Sequence, residues 1–305
     1  MRLVTFRRDG EARLGAVVDD RVVDLAALAQ ASGESLPSDM LAFIDAGPSA
    51  LEQARALLAR HADRWPNGTA FPLREVKLLA PIPRPRKNII CLGLNYAEHV
   101  AEGNRAMNIQ RDLPKEPVYF TKPPTTVVGP DEPIIYDERV STKMDWEAEL
   151  AVVIGRRGKA IPKERALEYV FGYTCFNDVS ARDLQRARGG QWYLGKSLDT
   201  YGPMGPWIVT ADEIPDPHNL HIVCRVNGVV KQDSNTRYLI FDIPTCIADY
   251  SAGITLEPGD VISTGTPSGV GFARTPPEFM KPGDVVEVEI EKIGVLRNPI
   301  VAASR

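Results

Sequence analysis

The architecture of this chain follows from the run Asp145-Trp146-Glu147-Ala148-Glu149-Leu150-Ala151-Val152-Val153-Ile154-Gly155. Its apolar, β-branched second half predicts a β-strand from Glu147 to Ile154, which Gly155 ends. Residues i and i+2 of a strand point to the same face, so Glu147 and Glu149 project side by side. The next positions on that face, Ala151 and Val153, are apolar, which places both carboxylates at the edge of a core.

Two like charges this close repel each other by ~1 kcal/mol in water, and by more as the dielectric constant falls. A bound cation relieves the repulsion, and oxygen ligands favour Mg²⁺, Mn²⁺ or Ca²⁺ over Zn²⁺. The alternative is an ordinary solvated strand face without a metal. Other parts of the chain favour the metal site.

The composition is that of an ordinary globular protein. The 305 residues are 44% hydrophobic and 25% charged, with a net charge of −4 and no basic block, so neither a nucleic acid nor a membrane partner is expected. Residues 1–8 contain no apolar segment typical of a signal peptide. Four widely spaced cysteines predict reduced, buried thiols in a cytoplasmic protein: Cys91, Cys175, Cys224 and Cys246.

The patterning predicts two regions. Short apolar runs before residue 27 and helical spacing over 41–46 and 51–65 indicate a small N-terminal α+β domain, residues 1–75. After prolines 81, 83 and 85, residues 76–305 carry many short strands and few helices, which favours a mostly β, α+β barrel or roll. The predicted strands are 88–92, 118–120, 134–136, 147–154, 173–176, 207–210, 220–226, 229–232, 261–264 and 285–291, and the predicted helices are 96–102, 181–188 and 244–252.

Several polar residues of this second region could carry chemistry. Asp178 ends a strand, where ligands are often presented, and Ser180 with Asp183 fits a capping box for the helix that follows. His99 and Glu102 are spaced i, i+3 on a predicted helix, either as a surface ion pair or as a carboxylate-oriented general base.

Two further segments are candidates for contacts with an anion. Lys196 lies between small residues, where it could hold an anionic oxygen or simply face solvent. The glycine-rich loop 264–271 follows a strand and could bring backbone N–H groups close to a carboxylate.

Together these segments resemble the fumarylacetoacetate hydrolase family, in its order and spacing, from about residue 80 to the end. The N-terminal segment looks like the accessory domain of the longer bacterial members. The matching segments are Gly93-Leu94-Asn95-Tyr96-Ala97-Glu98-His99-Val100-Ala101-Glu102, Glu147-Ala148-Glu149, Asn177-Asp178-Val179-Ser180-Ala181-Arg182-Asp183, Gly195-Lys196-Ser197 and Thr264-Gly265-Thr266-Pro267-Ser268-Gly269-Val270-Gly271.

The resemblance implies a mixed β-roll core, a homodimer, and Mg²⁺ or Mn²⁺, with Ca²⁺ as an ion that the same site would accept in crystals. Three carboxylates, a divalent cation and one lysine would sum to zero charge. By resemblance, the metal ligands are Glu147, Glu149 and Asp178, the oxyanion-binding lysine is Lys196, the water-activating dyad is His99 with Glu102, and the substrate contacts are Arg182, Gln185 and Thr266.

The expected activity is hydrolysis of a carbon–carbon bond in a 2,4-dioxo acid, of the acylpyruvate, fumarylpyruvate or dioxo sugar acid type, giving a 2-oxo acid and a carboxylic acid. The same scaffold also supports decarboxylation of oxaloacetate-like acids and isomerisation of hydroxymuconate-type diacids, and a non-catalytic paralogue binding a metal and a small acid is the third alternative. Loops 103–116 and 186–194 are expected to set the substrate, with 103–117 closing over it as a lid.

Overall fold

The computed structural model describes residues 1–187 and 190–304. The strands are β1 Arg2–Arg8, β2 Glu11–Val18, β3 Arg21–Asp24, β4 Ala70–Pro72, β5 Lys77–Leu79, β6 Ile89–Gly93, β7 Val118–Lys122, β8 Val127–Val128, β9 Ile134–Tyr136, β10 Met144–Asp145, β11 Ala148–Ile154, β12 Val170–Asn177, β13 Ser180–Ala181, β14 Gly202–Thr210, β15 His221–Val226, β16 Val229–Asn235, β17 Val261–Ser263, β18 Val285–Ile290 and β19 Gly294–Ala302. The helices are α1 Leu25–Ala31, α2 Met40–Asp45, α3 Gly47–Arg60, α4 Ala97–Met107, α5 Arg182–Arg186, α6 Tyr193–Lys196 and α7 Ile243–Gly253.

Two mixed sheets form the body of the molecule. The larger has the order β4-β3-β2-β1-β14-β12-β11-β17-β6-β7, with β5 on β1 and β8 on β14, and the smaller has the order β16-β15-β18-β19-β9. Most neighbours are antiparallel, whereas β17–β6, β14–β8 and β19–β9 are parallel. A core between the sheets contains Leu150, Val152, Ile222, Val288 and Leu296. The expectation of a mostly β, α+β fold with few helices is confirmed.

The N-terminal strands are part of the larger sheet. Strand β1 pairs with β14, with Leu3 opposite Ile208. Leu3 and Ile208 also share a buried cluster with Val153 of β11 and Phe176 of β12. A domain boundary near residue 75 stays a prediction.

Strand β11 positions the site because it lies inside the larger sheet, between β12 and β17. Its register pairs Glu149 with Phe176 and Ala151 with Ser263, so the end of β12 and the loop after β17 lie beside its N-terminal end. Strand β17 runs parallel to β6, which places the start of α4 near the same edge. Four segments distant in sequence therefore meet there.

The segment after β12 differs from its prediction. The capping box is wrong: Ser180 lies in β13, pairs with Asp145 of β10 and donates its hydroxyl to the carbonyl of Asp178. Helix α5 has Ala181 as its N-cap, without a side-chain cap. Asp183 instead accepts a hydrogen bond from Ser141. The predicted helix 181–188 is observed as Arg182–Arg186, and residues 188 and 189, which also belong to the predicted substrate loop 186–194, lie outside the described residues.

The expectation of buried, unpaired cysteines is met. All four cysteines are free and buried, and burial raises the pKa of each thiol, that of Cys246 to about 12. Within the described part of the chain, no helix has the length and apolarity needed to cross a membrane.

Candidate active site and metal centre

Three predicted ligands form one buried acidic cluster. Glu147, Glu149 and Asp178 each offer a carboxylate oxygen, and these oxygens lie within 4.8 Å of one another. None of the three residues is more than 4% exposed. Backbone contacts fix the arrangement, since the N–H of Asp178 donates to the carbonyl of Glu147 at 2.9 Å and the N–H of Glu147 donates to the side chain of Asn177 at 3.1 Å.

Cationic side chains contact two of these carboxylates. Lys196 Nζ lies 2.6 Å from Glu147 Oε2 and 2.7 Å from Asp178 Oδ2, so it bridges the two. Arg182 Nη1 lies 2.7 Å from Glu147 Oε1. Burial alone would raise the pKa of Glu147, but Lys196 and Arg182 hold it well below its ordinary range. Burial likewise opposes the charge of Lys196, yet Asp178 and Glu147 raise its pKa above the ordinary value.

Glu149 is the exception, because no cation pairs with it among the described residues. Its Oε2 accepts hydrogen bonds from Ser263 Oγ at 2.5 Å and from the N–H of Gly265 at 2.9 Å. Burial, together with repulsion from Asp178 and Glu147, raises its pKa well above the ordinary value. An all-oxygen cluster with one uncompensated buried carboxylate fits a hard divalent cation such as Mg²⁺ or Mn²⁺.

The predicted dyad is also formed. Glu102 Oε1 lies 2.9 Å from His99 Nδ1, and the side chains are 12% and 11% exposed. Glu102 Oε2 accepts a hydrogen bond from the N–H of Gly269 at 2.8 Å, so the glycine-rich loop fixes the carboxylate that orients the imidazole. The dyad therefore needs no closing movement of the chain to assemble.

The three predicted substrate contacts have partners within the protein. Gln185 Oε1 accepts from Arg182 Nη1 at 3.0 Å, while Arg182 Nη2 is buried without a partner among the described residues. Thr266 Oγ1 donates to the carbonyl of Ala148 and accepts from Gln232 Nε2. Their roles toward a substrate stay predictions.

These side chains face one cavity of about 220 Å³. Glu147, Glu149 and Lys196 form one wall, and His99 lines another part. The rest of the lining includes three aromatic and three further basic side chains: Phe120, Trp192, Phe272, Arg111, Arg182 and Arg186. Asp178 is not part of the lining, but its carboxylate belongs to the same acidic cluster as Glu147 and Glu149.

Comparison with known proteins agrees with this geometry. Residues 88–301 match the family model described as fumarylacetoacetate (FAA) hydrolase, C-terminal. The chain belongs to the fumarylacetoacetate hydrolase family. It is 46% identical over 306 residues to the mitochondrial oxaloacetate tautomerase fahd2 of Xenopus laevis, covering 99% of this chain and 90% of the relative, and 43% identical over 305 residues to the oxaloacetate tautomerase YisK of Bacillus subtilis, covering 98% and 100%.

A solved structure of a family member carries a metal. The maleylpyruvate hydrolase of a Sphingobium species, in complex with manganese (II) ion and pyruvate, is 32% identical and superimposes with a TM-score of 0.77 over the full length of both chains. That complex contains both a divalent cation and a small 2-oxo acid. The acidic cluster of the present family member is chemically suited to the same kind of ion.

Sequence reasoning missed two charged residues of the site. Lys122 is fully buried and lies 2.6 Å from Asp178 Oδ1. Asp145 is fully buried, lies 2.7 Å from Arg182 Nε, and accepts from the N–H groups of Gly271 and Phe272. The spacing of two residues that identified Glu147 and Glu149 extends back to Asp145, so the sequence pattern could have identified Asp145 as well. Lys122 had no such pattern, because its partner is distant in sequence.

These additions change the charge balance. The predicted sum of zero omitted Asp145, Lys122 and Arg182. The buried charged groups of the site are four carboxylates and three cationic side chains: Asp145, Glu147, Glu149 and Asp178, with Lys122, Arg182 and Lys196. Their net charge is −1, and a bound divalent cation would change it to +1. With metal bound, the site of this family member therefore favours an anionic ligand. Burial lowers the pKa of Lys122 below its ordinary value, an effect that Asp178 opposes only in part.

Proposed function

We propose that this protein is a divalent-metal-dependent tautomerase that interconverts the enol and keto forms of oxaloacetate. The observation that carries the proposal is one cavity lined by Glu147, Glu149, Lys196 and His99. Asp178 completes the acidic cluster and Glu102 completes the dyad. The 43% and 46% identical oxaloacetate tautomerases support this reaction more than carbon–carbon bond hydrolysis. Isomerisation, the alternative on the same scaffold, thus becomes the main interpretation.

Glu147, Glu149 and Asp178 would hold Mg²⁺ or Mn²⁺. When bound, this ion supplies Lewis acidity that polarises the 2-oxo group of the substrate. Lys196 bridges Glu147 and Asp178 and lines the cavity, so its ammonium group can donate a hydrogen bond to the oxygen at C2. A charged donor in a buried site stabilises the negative charge that develops on this oxygen during enolisation.

Tautomerisation moves one proton between carbon C3 and the oxygen at C2, with no water consumed. His99 is the candidate for the proton transfer at C3. Its Nδ1 is bonded to Glu102, which leaves Nε2 as the nitrogen that can take up and return a proton. Glu102 stabilises the imidazolium and is itself held by the N–H of Gly269.

Hydrolysis of a 2,4-dioxo acid remains the second candidate, because a preformed dyad of this kind can equally activate a water molecule. The experiment compares wild-type protein on enol-oxaloacetate and on a series of acylpyruvates, with Mg²⁺, with Mn²⁺ and with chelator. Metal-dependent acceleration of the enol absorbance decay, above the rate without protein, supports the tautomerase. Turnover of an acylpyruvate without that acceleration would establish the hydrolase in its place.

Three further expectations remain proposals. A homodimer would be detected by light scattering coupled to size-exclusion chromatography. A cytoplasmic location is proposed from the sequence, although the Xenopus relative is named as mitochondrial. A small 2-oxo or 2,4-dioxo acid is the proposed partner.

A further inference from the structure

Two arginines line the cavity and have no ion-pair partner among the described residues. Arg186 ends helix α5, and its guanidinium carbon lies 4.3 Å from the centre of the Phe272 ring. Arg111 follows helix α4, and its backbone carbonyl accepts a hydrogen bond from Asn104 Nδ2 at 2.8 Å. Both residues are exposed and both line the cavity. Two chain segments that are far apart in sequence therefore contribute positive charge to the same cavity. We call Arg111 and Arg186 together the rim.

The carboxylates of the cavity do not neutralise this charge, since they already have partners or form the metal cluster. Glu147 pairs with Lys196 and Arg182, and Glu102 pairs with His99. Glu149 is fixed by Ser263 and Gly265. The rim is thus a place where an anionic group of a ligand would find unpaired guanidinium donors.

Phe272 explains how Arg186 is positioned beside a like charge. The guanidinium carbon of Arg182 lies 4.5 Å from the same ring, so two guanidinium groups contact one aromatic side chain. Arg182 forms ion pairs with Asp145 and Glu147, whereas Arg186 forms none with any residue that the structure describes. The ring stabilises the cation without consuming its hydrogen-bond donors, which stay available to a carboxylate.

We propose that Arg111 and Arg186 bind the distal carboxylate of a dicarboxylic 2-oxo acid and thereby select it over a monocarboxylic acid of the same length. This inference rests on the proposed function, in which the carboxylate cluster and Lys196 engage the 2-oxo acid end of the substrate. A four-carbon diacid held at that end has one remaining charged group. The rim supplies the opposite charge for that group.

The test uses a pair of ligands that differ at one group. Oxaloacetate and 2-oxobutanoate have the same chain length, with a carboxylate in the first where the second has a methyl group. Arg186→Gln and Arg111→Gln should each raise the KM for oxaloacetate by about tenfold, the loss of roughly one charge-assisted hydrogen bond, with kcat changed by less than about twofold. Inhibition by 2-oxobutanoate should stay unchanged. Arg105→Gln, which alters an exposed arginine of α4 outside the cavity, is the matched control.

The outcomes separate this inference from the proposed function. An unchanged KM in the Arg111→Gln/Arg186→Gln double variant, or equal weakening of both ligands, would overturn the role of the rim. If wild-type protein lacks tautomerase activity, the rise in melting temperature with Mn²⁺ and either oxaloacetate or 2-oxobutanoate measures ligand binding instead. If oxaloacetate raises the melting temperature of wild type more than 2-oxobutanoate does, and the double variant loses this difference, the arginines bind the distal carboxylate in a protein that catalyses another reaction. If the two ligands raise the melting temperature of wild type equally, the role of the arginines is refuted.

Discussion

At the scale of single residues, Glu149 shows how stability is exchanged for a binding site. Its carboxylate is buried and has no cationic partner in the described part of the chain, and burial together with Asp178 and Glu147 raises its pKa. An acid whose pKa is raised on folding costs nothing below its unfolded pKa, and the cost grows as pH rises through the folded value. The metal-free protein is therefore destabilised at this position at neutral pH.

Glu149→Gln should stabilise the metal-free protein by about 1–3 kcal/mol at neutral pH, because a neutral amide removes the uncompensated charge. The gain should shrink as pH falls toward the ordinary glutamate range. The variant should also lose the rise in melting temperature that Mn²⁺ gives wild type, which differential scanning calorimetry measures with and without the ion. Glu98→Gln, at an exposed glutamate of α4, is the control, and an unchanged Mn²⁺ response in Glu149→Gln would remove Glu149 from the ligands.

His99 provides the second test at this scale. His99→Ala should lower kcat for enol-oxaloacetate by ~10²–10⁴-fold, the usual contribution of a general base. Mn²⁺ binding should persist, since the imidazole is not in the acidic cluster. His221→Ala, at an exposed histidine paired with Asp233, should have no effect on stopped-flow rates. A kcat for His99→Ala equal to that of wild type would transfer the proton step to another group.

The residues also show what the sequence could predict. The alternation of side chains along a strand predicts from the sequence alone that Glu147 and Glu149 share a face. The resemblance to the family adds Asp178, Lys196 and the dyad. Lys122 could not be found this way, because its ion pair joins β7 to the end of β12. Local patterns report faces of an element, whereas ion pairs across elements depend on the tertiary arrangement.

At the scale of elements, helix α4 is longer than its prediction. The sequence predicts an end at Glu102, before Gly103, yet the helix continues to Met107 and ends at Asn108, which adopts a left-handed backbone. Gly103 is buried, and a Cβ added there would contact Met107 and Phe272. Packing against these side chains outweighs the modest helix propensity of glycine. The exposed connection that remains is residues 108–117.

This connection is where a lid is predicted. Residues 108–117 have no helix or strand, and they carry the exposed apolar side chains of Ile109 and Leu113. Ligand should order this connection, so trypsin cleavage after Arg111 and Lys115 should slow when Mn²⁺ and oxalate are added, as followed by mass spectrometry. Cleavage after Arg64, in an exposed turn far along the chain, is the internal control. Equal protection at Arg64 and Arg111 would indicate general stabilisation and not a lid.

At the scale of the whole molecule, the order of strands in the sheets could not be predicted from the sequence patterns. The apolar runs before residue 27 indicate an α+β region, but they do not indicate that β1 pairs with β14, which joins residues near 3 to residues near 208. Alternation specifies which face of a strand is buried and not which strand lies beside it. The predicted N-terminal region is consequently continuous with the sheet that carries the site.

Leu3→Ala tests whether this continuity makes one cooperative unit. Leu3 is fully buried against a cluster that includes Val153 and Phe176, so the substitution should lower the free energy of unfolding by about 2–5 kcal/mol. Urea unfolding should show one transition, with tautomerase activity and far-ultraviolet circular dichroism lost together. Val229→Ala, at a half-exposed valine of the smaller sheet, should change stability by less than about 0.5 kcal/mol. Two separated transitions in Leu3→Ala, with activity surviving the first, would instead show that residues 1–75 unfold as an independent domain.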